Sequence, residues 1–203
     1  MDKTLRQWAG LGKPTSINPS KTALILIDIQ MDYFRPQKLP IPEGLRVVAN
    51  AARLRDWAAH CGMAVVHIQQ VSRDPAGLLF ATGSEGIAIH PGIVPREGET
   101  IITKTLPGSF DGTNLHQFLN ARGISTLVLA GMMTHMCVET TARTAVPLGY
   151  AVIVAADACA TRDLPEHDGS GAIPHEEVHR NALAAIADRF GDVMKTDEIV
   201  RLA

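Results

Sequence analysis

The chain has 203 residues, of which 46% are hydrophobic and 4% aromatic, and its formal net charge is −2. A single domain covering residues 1–203 is the default for this length, and the apolar fraction is ample for one core. The near-neutral charge gives no reason to expect nucleic acid or an anionic membrane as a partner. The scarcity of aromatic side chains argues against a stacking platform for single-stranded nucleic acid.

The chain contains three cysteines, Cys61, Cys137 and Cys159. This odd number, without framework spacing, argues against a secreted disulfide scaffold and for a reducing compartment. Residues 1–12 contain no apolar core of a signal peptide, and no apolar run approaches the length that spans a bilayer. We therefore expect a cytoplasmic protein without a membrane partner.

Short apolar runs alternate with segments of helical periodicity. The runs that predict buried strands are Ala23–Asp28, Met63–Gln69, Thr100–Thr103, Thr126–Ala130 and Ala151–Ala155, with a weaker run at Asp192–Met194. The segments that predict helices are Glu43–Cys61, Asn114–Arg122, Val138–Leu148 and Pro174–Phe190, with a short helix at the end of the chain. This alternation predicts an α/β fold with a mainly parallel sheet and helices on both of its faces.

The segment Ser72–Glu99 is predicted to be a loop, since it carries three prolines and five glycines. A loop of this length in a compact domain usually has a function, such as covering a site. We expect it and the polar segment Asp157–Ile173 to shape the substrate pocket.

Three reactive side chains follow the ends of predicted strands. Asp28 closes the first strand, Lys104 follows the third, and Cys137 lies beyond the fourth. Ligands of open parallel sheets bind beyond the carboxyl ends of the strands. The topology therefore permits these three residues to meet at one edge of the sheet, and this convergence favours a catalytic cysteine.

Cys137 lies where the predicted fourth strand turns into a helix of small residues that starts at Cys137 itself. Free backbone N–H groups and the positive end of the helix dipole at such a turn lower a thiol pKa and bind an oxyanion. The alternative is a buried structural cysteine, which is common for a free thiol.

Asp28 and Lys104 have matching chemical roles. A carboxylate can take the proton of the thiol, and the burial expected at the end of an apolar strand raises its pKa. A nearby lysine would lower the thiol pKa and keep the carboxylate charged. The alternatives are a capping or turn carboxylate for Asp28 and a solvated loop lysine for Lys104.

Three segments that contain these residues resemble one known family. They are Leu-Ile-Asp-Ile-Gln-Met-Asp-Tyr-Phe around Asp28, Thr-Lys-Thr-Leu-Pro-Gly-Ser-Phe around Lys104, and Gly-Met-Met-Thr-His-Met-Cys-Val around Cys137. Together, and in this order, they resemble the isochorismatase-like cysteine hydrolases over about residues 21–200. One departure is that Ser109 and Phe110 are adjacent, where the family pattern separates the Ser and the Phe by one residue.

The resemblance implies a three-layer α/β/α fold with a six-stranded parallel sheet and an Asp-Lys-Cys triad. Cys137 would be the nucleophile, Asp28 the general base, and Lys104 the residue that orients the pair and stabilises charge. The family's non-proline cis peptide maps to Met132–Met133, and the oxyanion hole to the backbone N–H groups of Met133 and Cys137. The members are commonly dimers or tetramers, so the resemblance implies a homodimer or homotetramer.

The implied reaction is hydrolysis of a C–N bond in a small amide, carbamoyl or ureido compound through a covalent thioester. A vinyl ether hydrolase of the isochorismatase type is one alternative, although such enzymes tend to lack the nucleophile that Cys137 would supply. A nicotinamidase is another, but its metal-binding Asp-x-His pattern is absent from Asp28 to Leu79. We expect no metal and no cofactor.

Other classes of function also remain open. One is a non-catalytic binding protein that keeps the fold, and another is a redox protein in which Cys159 would pair with Cys137. His175 and His179 stand four residues apart on a predicted helix, and with Glu176 they suggest a zinc site. Solvated or interface histidines are the more ordinary interpretation.

Five residues near the triad in sequence are candidates for contact with the substrate: Gln30, Tyr33, Phe34, Phe110 and His135. Their alternative roles are packing beneath the loop for the first four and contact with solvent or a neighbouring subunit for His135. The sequence leaves the identity of the substrate open.

Overall fold

The computed structural model describes residues 2–74 and 76–203, so position 75 of the predicted long loop lies outside the described residues. Within these ranges the strands are β1 (Thr22–Ile27), β2 (Ala64–Gln70), β3 (Thr100–Lys104), β4 (Thr126–Met132), β5 (Ala151–Ala160) and β6 (Asp192–Met194). The α-helices are α1 (Leu5–Trp8), α2 (Gly44–His60), α3 (Leu115–Asn120), α4 (Glu139–Ala145), α5 (His175–Ala185) and α6 (Thr196–Ile199).

The strands form one sheet in the order β3-β2-β1-β4-β5-β6, and every neighbouring pair is parallel. β1 lies at the centre, and all six of its residues are buried, as expected for a strand that is covered on both faces. The predicted α/β fold with a six-stranded parallel sheet is confirmed.

Two apolar clusters cover the two faces of the sheet. Leu24 and Leu26 of β1 pack with α2 and α6, whereas Ala23, Ile25 and Ile27 pack with α3 and α4. This division follows from the twofold alternation of side chains along a strand. The helices on both faces leave the carboxyl edge of the sheet to the connecting segments.

Two strands extend further than the sequence predicted. β4 ends at Met132 rather than Ala130, and β5 ends at Ala160 rather than Ala155. The register between them shifts after Leu129 and resumes with Gly131 opposite Cys159. Gly131 has φ +131°, and a Cβ there would lie 2.0 Å from the carbonyl oxygen of Ile27. Only glycine allows this close approach, which carries β4 to the edge where Cys137 follows.

The helix after β4 also differs from the prediction. Thr134–Val138 form a π-helical turn, and α4 begins only at Glu139. Cys137 therefore lies inside the first helical turn rather than at its start. π-helical turns occur frequently at functional sites. No helix among residues 2–74 and 76–203 is long and apolar enough to cross a membrane.

Candidate active site

Asp28, Lys104 and Cys137 meet at the carboxyl edge of the central strands. Lys104 Nζ lies 2.8 Å from Asp28 Oδ2 and 3.4 Å from Cys137 Sγ. Neither charged side chain is accessible to solvent, and Cys137 is only 4% exposed. The sheet topology thus assembles the three residues that the sequence proposed, in contact with one another.

Lys104 is held by more than its ion pair. Its ammonium group donates hydrogen bonds to Gln70 Oε1 at 2.8 Å and to the carbonyl oxygens of Leu106 and Pro107 at 3.1 and 3.0 Å. A buried ammonium needs such partners to offset its lost hydration. The contacts exclude the alternative in which Lys104 is a solvated loop residue.

Asp28 leaves β1 with a left-handed backbone, at φ +50°. Aspartate tolerates this region better than most residues, and non-glycine residues in it are concentrated at functional sites. Burial raises the pKa of the Asp28 carboxyl above its ordinary value, and the Lys104 ammonium opposes that shift. The raised pKa agrees with the expectation from the sequence.

The expectation of a lowered thiol pKa at Cys137 is wrong. Burial raises the pKa of Cys137 to about 12, the charge of Asp28 adds to the increase, and Lys104 only partly opposes it. Desolvation and the neighbouring carboxylate therefore outweigh the lysine. At neutral pH Cys137 therefore rests as a thiol, next to an Asp28 carboxyl group that can accept its proton.

The turn that carries Cys137 follows a cis peptide bond between Met132 and Met133. The backbone N–H groups of Met136 and Val138 bond to the carbonyl oxygen of Met133 at 3.1 and 3.2 Å. The first turn of a helix leaves several N–H groups without intrahelical partners. The N–H groups of Met133 and Cys137 lie in this first turn or directly before it.

A cavity of about 320 Å³ opens onto Cys137. Its walls are mostly apolar, and the residues that line it are Tyr33, Leu39, Gln70, Leu79, Phe80, Pro107, Met133, Met136, Cys137 and Arg162. Leu79 and Phe80 belong to the long loop that the sequence predicted to cover the site. Burial raises the pKa of Tyr33 well above its ordinary value, so its phenol is neutral.

Arg162 is a cavity residue that sequence reasoning missed. It follows β5 at the carboxyl edge, within the segment expected to shape the pocket, but nothing in the local sequence distinguished it. Its Nη1 donates to the carbonyl of Asp163 at 2.8 Å, whereas its buried Nε has no hydrogen-bond partner among the described residues.

Gln30 lies away from the cavity lining and is completely buried. Its side-chain nitrogen donates to the carbonyl oxygens of Gln70 and Ile87, both at 2.9 Å, and its oxygen accepts from the N–H of Gln70 at 2.8 Å. These bonds use both N–H groups of the amide and one lone pair of its oxygen. Gln30 therefore ties β2 to the long loop.

Phe34, Phe110 and His135 also lie outside the cavity lining. Phe34 packs against His90, with ring centroids 4.3 Å apart, and Phe110 stacks on Tyr150. His135 Nδ1 forms a hydrogen bond with Thr161 Oγ1 at 2.5 Å. The π-helical turn directs Met136 and Cys137, rather than His135, towards the cavity.

The suggested zinc ligands are engaged elsewhere. His175 bonds to Asp163 at 2.8 Å, and His179 bonds to Thr134 at 2.8 Å. Among the described residues, no group of three or more His, Cys, Asp or Glu side chains is arranged to hold a metal ion.

Comparisons with known proteins agree with this fold. The isochorismatase domain model matches residues 22–198. The isochorismatase family protein YddQ of Bacillus subtilis is 37% identical over 180 residues, which are 89% of this chain and 99% of that protein. A streptothricin hydrolase of Streptomyces noursei is 32% identical over 183 residues, covering 89% of this chain and 71% of that protein.

A solved structure of similar fold also matches the chain. The crystal structure of a cysteine hydrolase from Pseudomonas syringae pv. phaseolicola superposes with a TM-score of 0.89 at 28% identity, over 100% of this chain and 98% of that one. Fold and likeness together define a hydrolase built on a six-stranded parallel sheet. The chain belongs to the isochorismatase family.

Proposed function

We propose that the protein hydrolyses a C–N bond of a small amide, carbamoyl or ureido compound through a thioester on Cys137. The observation that carries this proposal is the contact of Lys104 with both Asp28 and Cys137 at a cavity large enough for a small molecule. The matched cysteine hydrolase and streptothricin hydrolase support the same class of reaction.

The first half of the reaction breaks the C–N bond. Asp28 takes the proton of the Cys137 thiol as the sulfur attacks the carbonyl carbon. The backbone N–H groups of Met133 and Cys137 donate to the resulting oxyanion, and one such donor is commonly worth about 3 kcal/mol of barrier. Asp28 then returns the proton to the leaving nitrogen, so that ammonia or an amine departs and the acyl group remains on sulfur.

The second half restores the enzyme. Asp28 takes a proton from a water molecule, the resulting hydroxide attacks the thioester carbonyl, and the C–S bond breaks. The proton passes to sulfur, and the acid product leaves. Lys104 donates to three carbonyl and amide oxygens, and its positive charge offsets the negative charge shared by Asp28 and the sulfur.

The cavity also supports a proposal about the substrate's charge. Arg162 contributes a guanidinium group to the cavity lining. Its buried Nε has no hydrogen-bond partner among the described residues. A buried unpaired donor is costly unless a ligand satisfies it. We therefore expect the substrate to carry a carboxylate or a comparable anionic group near Arg162, with the rest of its surface against the apolar walls.

The test is ammonia release from a panel of small amides and ureido compounds, with and without an anionic group. Cys137→Ala should abolish release, Asp28→Asn should lower it on the order of 10²- to 10⁴-fold, a chelator should spare it, and the control Cys159→Ala should keep it. Cys159 is a matched control because burial likewise raises its pKa to about 12, but it lies within β5 and is not part of the cavity lining. Ammonia release that survives Cys137→Ala would instead mean that a water molecule attacks the amide directly, without a thioester.

Arg162 is tested with the same panel. Arg162→Met should raise KM for the anionic members by on the order of 10- to 100-fold, as expected for a charge-assisted contact, and leave the neutral members unchanged. Arg180→Met, on the exposed face of α5, is the control. An equal loss on neutral and anionic amides would contradict the charge assignment.

The expected compartment and assembly are part of the proposal. All three cysteines are free thiols, which supports a reducing compartment such as the cytoplasm. The expected homodimer or homotetramer is tested by light scattering of the purified protein.

A further inference from the structure

A side chain on α5 reaches the turn that carries the nucleophile. Thr134 Oγ1 lies 2.8 Å from His179 Nδ1. Thr134 is completely buried and is the first residue of the π-helical turn Thr134–Val138, three residues before Cys137. His179 lies 45 residues later in the chain, so this bond joins helix α5 to the active-site turn.

The bond does not depend on which ring nitrogen of His179 carries the proton. Burial and the nearby Arg46 guanidinium lower the pKa of His179, so the ring is neutral and carries one N–H. The Thr134 hydroxyl can donate or accept, so it pairs with Nδ1 in either tautomer. The histidine thus connects α5 to the start of the nucleophile turn.

We propose that His179 is a positioning residue that holds the nucleophile turn in register through Thr134. The proposal rests on Cys137 being the nucleophile. The Sγ of Cys137 must keep its contacts with Asp28 and Lys104, and Lys104 is fixed by its own carbonyl contacts, so the turn is the part whose position is adjustable. A misplacement of about 1 Å at a reacting group can cost on the order of 100-fold in rate.

The arrangement fits a positioning role better than substrate binding. His179 lines a separate cavity of about 260 Å³ with Arg46 and Thr161, and it is not part of the lining that contains Cys137. A second bond, from His135 to Thr161, holds the next residue of the turn to the end of β5. The turn is therefore fixed from two elements, and His179 provides the link to α5.

The test uses His179→Ala, His179→Asn, Thr134→Val and the double variant His179→Ala with Thr134→Val. In His179→Asn the side-chain amide can accept from Thr134 through its oxygen, or donate to it through its nitrogen, in place of Nδ1. Thr134→Val keeps the shape of the buried side chain and removes only the hydroxyl. Arg180→Ala, the exposed next residue of α5, is the matched control.

On an amide that the wild type cleaves, His179→Ala and Thr134→Val should each lower kcat about tenfold, while KM changes less than about twofold. The double variant should lose no more than either single one, since both remove the same bond. His179→Asn should recover most of kcat, and Arg180→Ala should match the wild type. Independent effects that multiply in the double variant, or a loss in KM alone, would overturn the proposal.

Hydrogen exchange supplies a readout that needs no substrate. Amide exchange in the peptide covering residues 133–138 should be about fivefold faster in His179→Ala and Thr134→Val than in Arg180→Ala, as expected for the loss of one hydrogen bond. Unchanged exchange there would refute the link between α5 and the turn. Faster exchange together with activity that survives Cys137→Ala would instead keep the link and overturn the proposed chemistry. If His179→Ala does not fold, the isosteric Thr134→Val decides both measurements.

Discussion

The ammonium nitrogen of Lys104 lies 2.8 Å from the Asp28 carboxylate, and both side chains are completely shielded from solvent. Removing one partner of such a pair leaves the other buried and uncompensated, which commonly costs about 3–5 kcal/mol, whereas removing both is far less damaging. Because of this asymmetry, the stabilities of single and double variants of the pair measure how strongly Lys104 and Asp28 are coupled.

We expect Lys104→Met to lower the free energy of unfolding by about 3–5 kcal/mol, because Asp28 is left without its counter-charge. The double variant, Lys104→Met with Asp28→Asn, should regain a large part of the lost free energy of unfolding. Neither Lys104→Met nor the double variant should be active. Urea unfolding of the two variants and of Asp28→Asn measures the effect. A double variant as unstable as the sum of the two single ones would show that the residues are not coupled.

The pH dependence of kcat/KM follows from the raised pKa of Asp28. The general base must be charged, so activity falls as the pH drops through the Asp28 pKa, and the midpoint of this acid limb should lie above the ordinary carboxyl value of 3.8. Asp28→Asn should remove the limb and lower the remaining rate on the order of 10²- to 10⁴-fold. Initial rates from pH 4 to 9 on one amide test this.

The thiol gives the complementary measurement. Because burial and the charge of Asp28 raise the pKa of Cys137 to about 12, its alkylation by iodoacetamide should keep accelerating up to the highest usable pH without a plateau near neutrality. The Cys137 peptide is followed by mass spectrometry, with the half-buried Cys61 as the internal reference. A plateau below pH 8 would mean that Lys104 outweighs burial.

The sequence predicted the order of the strands and the positions of Asp28 and Lys104, because the patterns that indicate them span only a few residues. Apolar runs located the strands, and the positions just after strand ends located Asp28 and Lys104. The thiol pKa was mispredicted because desolvation depends on distant residues such as Leu79 and Phe80, which cover the cavity. Arg162 was missed for a similar reason. It reaches the cavity because β5 extends to Ala160, two residues before it.

Of the two neighbouring aromatic residues expected to line the pocket, only Tyr33 lies in the cavity lining, for a related reason. A short 3₁₀ turn, Met31–Tyr33, directs Tyr33 to the cavity and leaves Phe34 against His90. Adjacent side chains thus end on different sides of one segment. No periodicity over so few residues distinguishes them.

Gln30 should behave as a structural residue. Gln30→Leu removes the side-chain partner of the N–H and carbonyl of Gln70 and one of two donors to the carbonyl of Ile87, and we expect a loss of about 1–3 kcal/mol in the free energy of unfolding. Gln69 also donates to Ile87, at 3.0 Å, but is only partly buried, so Gln69→Leu is the matched control with a smaller loss. Thermal unfolding compares the two. A Gln30→Leu variant of wild-type stability with a raised KM would restore the substrate contact first expected for it.

Phe80 should limit the size of the acyl group. Its ring is nearly buried, meets Tyr33 edge to face at 5.2 Å, and forms one wall of the cavity above Cys137. Its N–H donates to Asp32 Oδ2 at 2.5 Å, which fixes the wall in place. Phe80→Ala removes the wall, so amides with one or two further methylene groups should gain about tenfold in kcat/KM relative to the shortest member of the series.

Leu78→Ala is the control for Phe80→Ala, since the Leu78 side chain is 72% exposed on the same loop. An unchanged ratio in Phe80→Ala would mean that the acyl group binds against another wall, with Met133 and Met136 as the next residues to vary.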